Sequence, residues 1–75
     1  MENNNNERWC ATFKAYNSKG QNINIPAVAW WGTTEQHKTE ANGIALGAAC
    51  KAKHVNVQCY EVIDGIETFR FSVTL

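Results

Sequence analysis

Thr33–Lys53 reads TTEQHKTEANGIALGAACKAK, and it is the one stretch of the chain whose apolar residues recur at helical spacing. Ala41, Ile44, Ala45, Ala48, Ala49 and Ala52 fall three and four residues apart and form a stripe about 100° wide or more. Gly32 breaks the preceding segment. Thr33-x-x-Gln36 is a capping box, in which each side chain satisfies an orphan amide of the first helical turn. A stripe made mostly of alanine lets the helix sit close on a sheet whose own large side chains fill the volume.

Working outward, both flanks alternate with period two and predict strands. On the N-terminal side Trp9, Ala11, Phe13 and Ala15 share one face, and Arg8, Cys10, Thr12, Lys14 and Tyr16 share the other. Asn17-Ser18-Lys19-Gly20 is a turn by composition, and Gln21–Trp31 resumes the alternation. With Gly20 in the left-handed position of a bulged turn, the pairs Ala15–Ile23, Phe13–Ile25, Ala11–Ala27 and Trp9–Ala29 all lie on one face. This register sends Trp31 into the core and Trp30 outward.

On the C-terminal side, His54–Ile63 and Ile66–Leu75 form a second hairpin. A two-residue Asp64-Gly65 turn pairs Cys59 with Arg70 and Val57 with Ser72, which breaks the apolar match. A three-residue loop, Ile63-Asp64-Gly65, restores it as Cys59–Phe69, Val57–Phe71 and Val55–Val73, and that register is the expectation. The fold expected is therefore α+β: a ββαββ chain with a four-stranded antiparallel sheet of order 2-1-3-4 and one helix on one face. Pro26 cannot donate to a ladder, which suits the edge position of the second strand. Residues 1–6 are expected to be a disordered polar lead and residues 7–75 a single domain.

Seventy-five residues bury only about 60 to 65% of the unfolded chain's surface, so disulfides, a metal or self-association would each help. Cys10, Cys50 and Cys59 are an odd number at long spacings and do not read as a disulfide framework. No C-x-x-C or H-x-x-x-H pair joins them to His37 or His54, so neither a metal nor another cofactor is expected. Seven basic and seven acidic residues cancel, which excludes a global field for nucleic acid or an anionic membrane. There is no stretch of 18 apolar residues and no signal-peptide pattern, and a cytoplasmic protein with no membrane partner is expected.

Two surfaces carry the functional expectations. On the helix, Gly43, Leu46, Gly47 and Cys50 lie opposite the alanine stripe, where a solvated helix is ordinarily polar. They are the expected interface of a homodimer. On the open face of the sheet the expected registers gather Arg8, Lys14, Tyr16, Trp30, His54, Tyr60 and Arg70 with no acidic residue among them. That face is the candidate site for a ligand or for single-stranded nucleic acid, with aromatics to stack bases and cations to pair phosphates. Trp30 is its expected contact residue, covered by an unidentified protein partner.

Catalysis is the least supported class, because His37 and His54 stand on separate elements and no phosphate loop or nucleophile elbow occurs. The reading is a small non-catalytic homodimeric interaction module, of a size that suits an accessory protein of a phage or other mobile element. A single-stranded nucleic-acid binder is the alternative.

Overall fold

A computed structural model describes residues 7–25, 29–49 and 54–75. The chain runs β1 (Arg8–Asn17), β2 (Asn22–Ile23), β3 (Trp30–Thr33), α1 (Thr34–Ala48), β4 (Val55–Ile63) and β5 (Ile66–Thr74). All five strands join one antiparallel sheet in the order β2-β1-β4-β5, and β3 pairs with β1 alongside β2. The α+β architecture and the path of the sheet agree with the expected order. The expected second strand is instead two short strands.

The helix begins where the capping box places it. Thr33 accepts from the Gln36 amide at 3.2 Å, and the Gln36 side chain accepts from the Thr33 amide at 2.8 Å. His37, Ala41 and Ala45 are the residues α1 buries, and Ile44, Ala48 and Ala49 pack partly against the same core. Beneath them lie Trp9, Ala11, Phe13 and Ala15 from β1 and Val55, Val57 and Cys59 from β4. Ala52 of the expected stripe lies outside the described residues, as do Pro26 and Ala27.

The first turn forms as expected. Gly20 takes φ +77°, the Gly20 amide donates to the Asn17 carbonyl at 3.0 Å, and the Asn17 amide donates to the Gln21 carbonyl at 2.9 Å. The Asn17 carboxamide oxygen accepts from the Lys19 and Gln21 amides, an Asx turn that fixes the loop. Ala15 then faces Ile23.

Beyond that pair the expected register fails. Trp9 faces Gly32 and Ala11 faces Trp30, so β3 is displaced by three residues from the expected Trp9–Ala29 pairing. An odd displacement inverts which side chains face the core. Trp30 therefore turns toward the helix and Trp31 turns outward, 61% exposed, which reverses their expected roles. The physical reason sits at Gly32, which is buried on the helix side. A Cβ there would lie 2.7 Å from Cζ3 of Trp30, so the indole folds over a position that only glycine leaves open.

The second hairpin is also corrected. It closes on the two-residue Asp64-Gly65 turn, with φ +53° and +78°, the pair of left-handed residues a type I′ turn requires. Ile63–Ile66 through Tyr60–Phe69 follow that register, whereas Cys59 faces Phe71 and Val57 faces Val73. Arg70 is the extra residue between the two halves, a β-bulge. Both demands on the hairpin are thus met: the turn takes its favoured length, and the bulge returns the apolar row to the core.

Candidate functional site

On the outer surface of α1, Gly43, Leu46 and Gly47 are all exposed, Leu46 by 63%. A Cβ built on Gly43 or on Gly47 meets no atom within 4 Å. Neither glycine is therefore required by packing among the described residues. Charge on this helix is sparse and lies toward its start, where Lys38 approaches Glu35 at 3.8 Å. Cys50, the fourth expected interface residue, lies outside the described residues.

The open face of the sheet keeps part of its expected membership. Lys14, Tyr16 and Tyr60 stand on it, half-buried, and Arg8 is exposed at its margin, donating from Nη2 to the Trp31 carbonyl at 3.3 Å. His54 is exposed just before β4.

Two expected members are not there. Trp30 packs on the helix side against Phe13 and His37. The bulge sends Arg70 to the same side, where its guanidinium lies 5.3 Å over the Trp9 ring and pairs with Glu61 at 2.9 Å.

The same two irregularities add residues that alternation had placed elsewhere. Phe69, expected in the core, pairs with Tyr60, its ring 5.9 Å from the tyrosine ring and 53% exposed. Trp31 joins beside Cys10. Glu67 also arrives, which overturns the expectation of a face without acids. It accepts from Thr12 Oγ1 at 3.1 Å and pairs with Lys14 at 3.2 Å, while Lys14 lies 4.9 Å over the Tyr60 ring.

That contact shifts both titrations. The hydrogen bond from Lys14, then that from Thr12, lowers the Glu67 pKa. The hydrogen bond to Glu67 and the charge behind it raise that of Lys14. The ammonium that was to meet a phosphate already holds a carboxylate. What remains on this face is chiefly aromatic and hydroxylic.

Beneath α1 a further cluster surrounds His37, which is fully buried. Its Nε2 lies 2.8 Å from the Trp9 carbonyl oxygen, and because a carbonyl only accepts, Nε2 carries the proton. The ring is enclosed by Trp9 at 4.2 Å, Trp30 at 4.8 Å and Phe13 at 6.1 Å between centroids. Trp9 in turn donates from Nε1 to Thr34 Oγ1 at 3.0 Å. These bonds tie the start of the helix to β1, while His37 Nδ1 is buried with no hydrogen-bond partner among the described residues.

Beside this cluster Trp30, Glu35, Gln36, Thr39 and Glu40 line an open cleft of about 370 Å³. Burial pushes the Cys59 thiol up to about 12, which leaves it protonated and a poor nucleophile near neutral pH. Among the described residues no group of three or more His, Cys, Asp or Glu side chains converges on a point. No described helix is long and apolar enough to cross a membrane.

Trp31 and Phe69 are the exposed residues that sequence reasoning missed. Gly32 carried a signal for the first, since an inward glycine needs a neighbour to cover it. The bulge that moves the second is signalled only by the conflict between the two-residue turn chemistry of Asp64-Gly65 and the apolar register. Comparison of the chain with protein-family models, with curated proteins and with solved structures finds no match in any of the three.

Proposed function

We propose that the chain is a small interaction module whose activity is binding, and that it forms a homodimer through the outer face of α1. The observation that carries this reading is the pair Gly43 and Gly47, set in open space on either side of the exposed Leu46. A glycine inside a helix costs about 1 kcal/mol relative to alanine, and nothing among the described residues of one chain requires either. A second helix at close range does, because two glycines one turn apart let the backbones approach and let Leu46 of each chain cover the other. Self-association also supplies the apolar burial that a chain of this length lacks.

Sedimentation and thermal melting of the full chain test the proposal. At about 50 µM Leu46→Glu is expected to sediment at half the mass of the wild type. Gly43→Ala/Gly47→Ala is the sharper variant. It is expected to stabilise the separated chain by about 1 to 2 kcal/mol through helix propensity while weakening association. A wild type that sediments as a monomer, or a double-alanine variant that associates as well as the wild type, refutes the helix-face dimer.

The alternative reading, single-stranded nucleic-acid binding, rests on the exposed aromatics of the open face. Its electrostatic half is weakened by the Lys14–Glu67 pair and by the position of Arg70 on the helix side.

A further inference from the structure

We propose that the outer edge of β5 is a self-pairing edge: β5 of a second copy docks on it antiparallel, about a two-fold axis at Val73, and extends the sheet. The surface is distinct from the outer face of α1 and does not depend on it. β5 ends the sheet on its side. Val55 and Leu75 exchange both of their backbone hydrogen bonds, at 3.2 and 2.9 Å, so the amide and carbonyl of Leu75 face β4. Backbone direction alternates along an antiparallel ladder. Val73 and Phe71, which pair with Val57 and Cys59, therefore face β4 as well. The amides and carbonyls of Ser72 and Thr74 face away from it, and both residues are exposed.

The segment Phe71–Leu75 is complementary to itself. About Val73, Ser72 falls opposite Thr74 of the second copy and Phe71 opposite its Leu75. Ser72 and Thr74 are then hydrogen-bonded pairs, four backbone bonds across the axis. Phe71, Val73 and Leu75 continue the apolar row on the helix side, and the hydroxyls of Ser72 and Thr74 line the open side. No charged side chain lies in the segment, so no two like-charged side chains meet across the axis.

Edges are normally guarded by lysine, proline or charges that project across them. β5 contains neither lysine nor proline, and its two charged residues fold back onto their own sheet. Glu67 is held by Thr12 and Lys14, and Arg70 by Glu61 over Trp9.

The bulge at Arg70 limits the pairing to the half of the strand beyond it. Among the described residues the opposite edge offers no equivalent template, since β2 and β3 are two and four residues long and out of line by three. Pairing through β5 alone therefore joins two copies and does not propagate from edge to edge.

Amide hydrogen exchange of the full chain in dilute and concentrated solution reads the edge directly, and sedimentation of wild type, Thr74→Pro and Leu46→Glu reads the assembly. Thr74→Pro removes an outward amide and leaves the backbone bonds to β4 in place, losing only the side-chain bond from Asn56 Nδ2 to Thr74 Oγ1, and edge strands tolerate proline. Protection of the Val57 amide reports that the variant is folded. The Ser72 and Thr74 amides are expected to slow at least tenfold on concentration. Thr74→Pro is expected to weaken the edge dimer at least tenfold, since two hydrogen bonds of about 1 kcal/mol each are lost across the axis. Leu46→Glu is expected to leave the edge protection in place. Ser72 and Thr74 amides that exchange freely at every concentration in the wild type overturn the proposal, and so does protection that vanishes with Leu46→Glu.

Discussion

Trp30 and Trp31 show how much one residue's direction decides. The two indoles are adjacent in the chain, yet one packs on His37 and Phe13 and the other stands 61% exposed. Truncating them should separate the roles: Trp30→Ala is expected to cost about 3 kcal/mol through lost burial and the cavity left against His37. Trp31→Ala is expected to stay within about 0.5 kcal/mol of the wild type. Denaturant unfolding of both variants checks this, and equal losses would contradict the displaced register of β3. The sequence could not settle the direction because Ala27 and Ala29 alternate with so little volume that either parity is acceptable. His37 was more legible, since a histidine four residues after the helix cap falls on the same side as Ala41 and Ala45.

At the scale of elements, α1 was readable from composition, since its cap and alanine stripe are local signals that tertiary packing does not override. The N-terminal hairpin was readable as far as Ala15–Ile23, where a glycine-marked turn and an apolar match agree. The second hairpin was not, because the turn chemistry of Asp64-Gly65 and the uniform apolar register demanded different loop lengths. Taking the register as uniform forced a choice between them. The bulge at Arg70 satisfies both, and it exchanges the faces of Glu67, Phe69 and Arg70 relative to the expected sheet. The candidate face suffered most from that exchange, since it gained an acid and lost a base in one step.

Deletion of Arg70 gives a specific outcome. With the extra residue gone, a two-residue turn pairs Cys59 with Phe71 along one unbroken register. The variant is therefore expected to keep the fold, as circular dichroism and Val57 amide protection would show. It loses the Arg70–Glu61 pair and the guanidinium over Trp9, and its outer edge runs unbroken from Ile66 to Thr74. Such an edge is expected to aggregate more readily than the wild type at equal concentration. A variant that unfolds outright would contradict the account of the bulge as a register correction.

For the whole molecule, charge placement matters more than its total. Formal neutrality left open a sheet face of one sign, and the fold instead joins Lys14 to Glu67 and Arg70 to Glu61. A labelled single-stranded oligonucleotide is accordingly expected to bind weakly at low salt and to show a shallow salt dependence, about one phosphate contact or fewer. Glu67→Gln, which releases Lys14, should steepen it. A steep dependence in the wild type would restore the nucleic-acid reading.

The three tryptophans also give the molecule an optical use. Trp9 is almost wholly enclosed, Trp30 is half-enclosed against the same imidazole, and Trp31 stands in solvent. A Trp31→Phe chain emits only from the two indoles around His37, so its fluorescence follows melting of the core. The difference between that signal and the wild type's isolates the outward indole, whose colour would change when something settles on the open face, with no label attached.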